Sequence, residues 1–390
     1  MGVEERRARL GVRHHLARAA GGVDEIAAAL IGLHATDPTS VYLAARSRVK
    51  GFRVGDLERA LYEDRSVLRM LGMRRTMFVV PRAVAATMDA ACTRALVPGE
   101  RRKVVALIEE GGLAADGAAW LERVESETLE ALRAAGEATA AELRAVVPDL
   151  ARKVLVGEAK KWAGEIGMSS RVLFLLAADG RVVRGRPRGS WQSSQYRWTS
   201  MDTWLGEPVV TDTPAVARAD LAHRWLRAFG PGTLSDVKWW TGWSVRDTKA
   251  ALEAVGAVTI ELEGSEPAEG YVLADDLGST RTPRPWVALL PALDPTTMAW
   301  KQRDWYLGEH AAALFDKNGN AGPTVWSNGK IIGGWGQRAD ASVGFELLEP
   351  VDVATDKQIR SEVAHVEAWL AGVRVTPRFR TPLERRLAAL

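Results

Sequence analysis

The sequence predicts an α+β fold built from a repeated unit, and three observations carry that expectation. Three successive segments each run through helical periods into a pair of short β-like runs punctuated by glycine. Past Thr282 the texture changes to short apolar β-runs separated by turn residues. At 390 residues the chain also exceeds what one hydrophobic core covers. Domain limits are expected at 1–98, 99–210, 211–282 and 283–390.

In the first segment, apolar spacing predicts helices over Glu4–Ala19, Val23–Leu33, Val41–Arg48 and Val54–Tyr62. Ser66–Met70 and Thr76–Val80 then alternate as a hairpin, with Arg69, Arg74 and Arg75 around its turn. The second segment predicts helices over Arg102–Glu110, Ala118–Ala134 and Ala140–Val147, the last capped by Thr139 and stopped by Pro148. A helix near Ser169–Ala178 follows, then the turn Ala178–Gly180 and the basic run Arg181–Arg188.

The third segment is the clearest. Ala215–Phe229 is an amphipathic helix broken at Pro231-Gly232, Thr233 or Ser235 caps a short helix through Trp240, and Ser244 caps Val245–Val255. Ala257–Leu262 and Tyr271–Leu273 are β-like, joined by the turn-rich Glu263–Gly270. Leu176–Val183 aligns with Leu252–Thr259, as copies of one repeat would. Helices followed by a hairpin in this order describe a winged helix, so three tandem winged helices are expected. In the last segment Pro285–Leu290 and Ser342–Leu348 read as strands, and Thr324–Ile332 as a hairpin turning at Asn328-Gly329. Thr355–Ala371 reads as a helix, and the tail from Arg374 carries five arginines among thirteen residues. This region is expected to form a small β-barrel or sheet with a closing helix.

A formal charge of +3 with a pI near 9.0 hints at an anionic partner, although clustering decides more than net charge. The single cysteine, Cys92, excludes an internal disulfide and a Cys-based zinc site, and the six scattered histidines lack ligand spacing. Neither metal nor cofactor is expected. No signal peptide or bilayer-length apolar run is seen, which suggests a nucleoid-associated protein of the reducing cytoplasm, with no membrane partner. Most of the fifteen tryptophans are expected to fill cores.

Winged helices usually meet nucleic acid through cations on phosphates. Arg184, Arg186 and Arg188, with Arg69, Arg74 and Arg75 and the C-terminal arginines, fall on or beside predicted hairpins. Each alone is an ordinary surface charge; together they read as a line of phosphate anchors. Arg46 and Arg48, closing the helix that begins at Val41, and Thr76 beside Arg74 join the same set. Three such units in one chain suit a monomer that wraps a duplex.

The stretch that could carry chemistry is Ile31–Arg46, where a polar knot separates two helical runs. Pro38 suits a first helical turn, and Asp37 one place earlier can accept its free amides. His34, Thr36 and Asp37 are thereby presented on an elbow. On spacing alone this is a capped turn with an incidental imidazole. No phosphate-binding glycine motif, no Gly-x-Ser-x-Gly elbow and no two-metal carboxylate cluster occurs elsewhere.

Gly32-Leu-His-Ala-Thr-Asp-Pro38 and Met73–Pro81 resemble anchors of the tandem winged-helix alkylpurine DNA glycosylases of the AlkZ/YcaQ type. Arg224–Pro231 with Trp239–Gly242, Leu289–Pro295 and Val325–Trp335 extend the resemblance over essentially the whole chain. It implies a basic DNA channel and hydrolytic excision of N7-alkylated purines, bulky or cross-linking adducts included, without metal or cofactor. That work belongs to base excision repair or to self-resistance against alkylating agents. Where the best-known branch reads Gln-x-Gln, this chain has His34 and Thr36, followed by Asp37. His34 is then expected to orient or deprotonate a water, with a pKa near the working pH. Thr36 is expected to hold that water, and Asp37 to offset sugar charge or fix the imidazole tautomer, unless its helix cap consumes it and leaves it a structural support. Arg74 and Thr76 flank the elbow as lesion or phosphate contacts, and Arg303 lies in another matching stretch with Asp294. The competing expectation is a winged-helix DNA-binding protein without catalysis, a regulator or a lesion-recognition module.

Overall fold

The computed structural model describes residues 1–156, 164–206, 212–264 and 266–390. At three places helices feed an antiparallel hairpin, and each hairpin recruits one short extended segment from just ahead of a helix. In the first, Val67–Leu71 pairs with Met77–Pro81, and Leu33–His34 adds to Met77–Pro81 with His34 opposite Phe78. In the second, Val182–Pro187 pairs with Tyr196–Ser200, and Ala138–Thr139 adds to Tyr196–Ser200. In the third, Val258–Leu262 pairs with Ala268–Val272, and Gly232 bridges to Tyr271. The turn expected at Glu263–Gly270 includes residue 265, which lies outside the described residues.

The added segment ends each time on a helix cap. Asp37 accepts from the Thr39 amide, Thr139 from the Glu142 amide and Thr233 from the Asp236 amide. The helices thus started are Pro38–Arg46, Ala140–Val146 and Leu234–Thr241. The elbow of the first assembly therefore recurs as plain backbone in the other two. Only the first copy carries an imidazole there.

The first helix, Val3–Arg13, is shorter than its apolar spacing suggested. His14 stops it by turning inward, where its ring nitrogens meet the Thr296 hydroxyl and the Ala228 carbonyl. The hairpin Lys153–Val156 with Gly164–Gly167 was not anticipated, since glycine gives it little strand signal.

The C-terminal sheet is open and not a barrel. Its strands Val287–Leu290, Thr324–Ser327, Lys330–Gln337 and Val343–Leu347 pair in chain order, and the two outer strands do not meet. Helices explain the open edges. Ile359, Val366 and Leu370 of the helix Val353–Leu370 pack with Leu289, Val325 and Ile332 of the sheet. The helix Pro382–Ala388, hidden in the arginine-rich tail, packs against Lys330–Gln337, with Leu383 close above Gly334. A four-stranded sheet sandwiched in this way gains nothing by closing on itself. Asn328 and Gly329 both take positive φ, as the expected type I′ turn requires.

One apolar core joins residues of the first, third and last segments, while a second core lies within residues 104–198. The first is pinned by a fully buried ion pair. Arg48 grips both carboxylate oxygens of Asp294 at 2.7 and 2.9 Å and also donates to the His14 and Ala44 carbonyls. Neither side chain is exposed. Removing the acid alone leaves a buried, uncompensated guanidinium. Asp294→Ala should therefore lower unfolding stability by about 3–5 kcal/mol, whereas Arg360→Ala, at an exposed i,i+4 pair with Asp356, should cost less than about 1 kcal/mol. Urea unfolding followed by circular dichroism checks both, and equal losses would refute the ion pair's role.

Candidate active site

The elbow is fixed by contacts that leave one side chain free to act. Ile31 turns the chain at a φ of +63°, a strained setting for a β-branched residue. Gly32 lies so close to the hairpin that a Cβ there would sit 3.0 Å from the Val79 carbonyl oxygen. The Ala35 amide donates to the Met77 carbonyl at 2.7 Å, and the Thr36 hydroxyl accepts the Met77 amide at 3.2 Å. Asp37 uses both carboxylate oxygens. Oδ1 accepts the Thr39 amide and hydroxyl at 2.9 and 2.8 Å, and Oδ2 accepts the Arg378 amide at 2.9 Å.

His34 is what remains. Its ring packs edge-on against Phe78 at 5.0 Å, is 6% exposed, and lines a cavity of about 270 Å³. Arg74 and Thr76 come to that cavity from the first hairpin, and Trp239 from the third assembly. Met298, Lys301, Arg303 and the loop Asn318–Asn320 come from the last segment. The guanidiniums of Arg74 and Arg303 lie 4.0 and 4.9 Å from the Trp239 ring centre. Gly242, at a φ of +79°, ends the Trp239 helix and lets Arg74 pass, since a Cβ would stand 3.1 Å from Arg74 Cγ. Asp316 shapes the loop by accepting the Asn318 and Asn320 amides and the Asn320 side chain.

Among the described residues no carboxylate lines this cavity, and no cluster of three potential metal ligands occurs anywhere. Burial, with Arg74 adding to it, pushes the His34 pKa down to about 3. The imidazole is therefore neutral at ordinary pH. Its Nδ1 is buried without a hydrogen-bond partner.

Several sequence expectations are corrected here. Burial, with Arg74 adding to it, keeps the His34 pKa well below the working pH. Asp37 takes the capping alternative: the helix cap and the tail occupy its carboxylate, and it does not line the cavity. Thr36 holds the hairpin and is not among the cavity's lining residues.

The arginines divide sharply. Arg74, Arg303 and Thr76 reach the His34 cavity, and Arg184 and Arg188 line a separate one. Arg48 is locked on Asp294, and Arg69 is 2% exposed, lying against Tyr196 with Nη1 on the Ala35 carbonyl. Neither can meet a phosphate directly. Arg46 pairs with Glu362, Arg186 with Glu58 and Glu63, and Arg75 with Glu100. These three have acidic partners in the free chain.

Trp239, Lys301, Asn318 and Asn320 escaped the residue-level reading. Two signals pointed to them. Adjacent helical residues face different directions, so of Trp239 and Trp240 only one could enter the core, and Trp240 does. Asp316-x-Asn-Gly-Asn320 is also the composition of a loop tied by its own aspartate.

The residues of this cavity fall within the span recognised by a family model. The model described as DNA glycosylase AlkZ-like matches residues 27–371. The Streptomyces sahachiroi DNA glycosylase AlkZ has a similar structure, with a TM-score of 0.72 over 97% of this chain and 98% of that one, at 20% sequence identity. That likeness speaks for the fold. No curated protein sequence matches the chain. With the family model covering the elbow, Arg74, Arg303 and the last-segment loop, the chain belongs to the AlkZ-like DNA glycosylase family.

Proposed function

We propose that this glycosylase hydrolyses the N-glycosidic bond of N7-alkylated purines in duplex DNA, including bulky or cross-linking adducts, with His34 as the catalytic residue. One observation carries the reading. A neutral imidazole stands at the mouth of a helix cap, inside a cavity that holds three cations and no acid.

The chemistry needs little else. Alkylation at N7 makes the base a cation, so the C1′–N9 electron pair leaves with it and the base departs neutral, without a general acid. Positive charge passes to the sugar, a water oxygen bonds to C1′, and the water's proton goes to solvent. With a pKa near 3, His34 is a weak base at neutral pH; its part is to orient the water. The unpartnered Nδ1 favours the tautomer with its proton on Nε2, because an unmet N–H costs more than a bare nitrogen. Arg74, Lys301 and Arg303 suit flanking phosphates and repel a purinium, which places the sugar-phosphate side of the lesion nucleotide against His34. Thr36 and Asp37 act by holding the elbow.

We also read the three helix-and-hairpin assemblies as winged helices within the limits 1–98, 99–210 and 211–282, followed by the 283–390 sheet domain. Together they serve a monomer on duplex DNA. The protein needs no cofactor in this scheme. No described helix is long and apolar enough to cross a membrane. The second reading, DNA binding without excision, is favoured by one fact: His34 is 6% exposed.

Base release from a duplex carrying one N7-methylguanine decides between them under single-turnover conditions. His34→Ala should slow release by about 100-fold or more while still binding the duplex. His34→Gln should stay within about tenfold of the parent, since an amide can orient a water too. Binding without release at saturating protein establishes the second reading.

The pH profile tests the role of the ring. Because the folded pKa lies below the free value of 6.5, His34 takes up its proton only as pH falls toward 3. The release rate should therefore show no acidic limb between pH 5 and 8 that His34→Gln abolishes. A limb centred on pH 6–7 that vanishes in that variant contradicts water orientation by a neutral imidazole.

A further inference from the structure

A second cavity, of about 500 Å³, is lined by an entirely different set of side chains. Arg144, Arg184, Arg188 and Arg378 line it together with Tyr196 and Trp198, and no carboxylate does. Several buried or half-buried arginines elsewhere have acids: Arg9 and Arg13 share Asp276, Arg48 has Asp294, and Arg101 has Glu125, whereas Arg6 and Arg69 are buried against aromatic rings without an ion pair among the described residues. Those are structural cations. The four cavity arginines differ in standing together around one open space.

Arg184 lies over the faces of Tyr196 and Trp198, at 5.4 and 5.0 Å from the ring centres, and makes no ion pair or hydrogen bond among the described residues. Burial pushes its pKa down to about 10, with Arg69 and Arg378 adding repulsion. Arg188 has no acid within ion-pair distance either; Glu142 feels its charge, but that carboxylate is held by the Thr139 amide and hydroxyl. Arg378 is anchored by its own backbone. Its amide is bound to Asp37, and its guanidinium reaches toward the Thr36 carbonyl at 3.5 Å.

Cations assembled without counter-charges, one of them largely desolvated, are costly unless an anion completes them. Guanidinium forks match phosphate oxygens, and the aromatic walls keep Arg184 aimed into the space. We propose that this cavity is a phosphate site that holds a phosphodiester of duplex DNA, separate from the His34 cavity. The duplex backbone then grips the elbow from two cavities at once, through Arg74 and Arg303 in one and Arg184, Arg188 and Arg378 in the other. This rests on the reading of the protein as one that acts on duplex DNA, but not on excision itself.

The test uses the full chain, an unmodified 25-base-pair duplex and fluorescence anisotropy from 50 to 200 mM NaCl. Arg184→Gln and Arg188→Gln should each weaken binding about three- to tenfold and flatten the slope of log K against log salt by about one, while Arg360→Gln changes neither. Arg188 is exposed, so its variant folds even where Arg184→Gln fails to. Inorganic phosphate at 10 mM separates the sources of the anion by thermal shift. If it raises Tm for the parent and not for the variants, while their duplex slopes stay at the parental value, the cavity takes free phosphate and the proposal falls. Unchanged slopes in both variants without any phosphate effect also overturn it. If the parent releases no base yet the slopes flatten, the phosphate site stands and the excision reading of His34 fails by itself.

Discussion

The carboxylate of Asp37 is the constraint on which the site depends. One oxygen starts the helix Pro38–Arg46, and the other holds the backbone of a tail that arrives from 341 residues away. Between that cap and the hairpin the chain from Leu33 to Thr36 is tied down: Leu33 and His34 pair with Val79 and Phe78, the Ala35 amide and the Thr36 hydroxyl bond to Met77, and the His34 ring packs on Phe78 with its Nδ1 unpartnered. A reactive group on a loop is ordinarily mobile. Here the loop is pinned at both ends, so the imidazole is presented as rigidly as it would be from a helix.

Rigidity and charge act together. The elbow is ringed by guanidiniums, and the fold separates those with acids from those without. Arg48, held by Asp294, ties the Pro38–Arg46 region to the last segment, so the ion pair and the cap brace the same helix from its two ends. Arg74, Arg303 and Arg184 have ring faces for neighbours instead, which hold a guanidinium in place without neutralising it. Burial, with Arg74 adding to it, suppresses protonation of His34. A charged imidazole would compete with the site's cations for phosphate and would be useless against a developing sugar cation, so the depressed basicity fits the chemistry.

The sequence made the local devices readable. The caps at Asp37, Thr139, Thr233 and Ser244, the Asn328-Gly329 turn and the first and third hairpins are set by residues within a few positions of one another and fall close to where spacing predicts them; of the second hairpin only the Arg181–Arg188 run is legible, and its partner Tyr196–Ser200 is not. What spacing cannot express is tertiary pairing. Arg48 and Arg69 look like Arg74 and Arg184 in the chain, yet one meets an aspartate 246 residues away and the other is sealed among tyrosines. The His34 cavity likewise draws on three distant segments, and the basicity of its histidine follows from a burial that no local pattern encodes. The barrel expectation failed for a related reason: a helix concealed in an arginine-rich tail covers the sheet face that closure would otherwise have had to protect.

The most direct measurement is a crystal structure of the full chain on a duplex carrying a tetrahydrofuran abasic analogue, which mimics the sugar after base loss. The account predicts that C1′ of the analogue lies in the His34 cavity, with a water within about 3 Å of the imidazole between ring and sugar. The flanking phosphates should lie against Arg74 and Arg303. An abasic sugar bound well away from His34, or an imidazole still closed off by protein when DNA is in place, would contradict it.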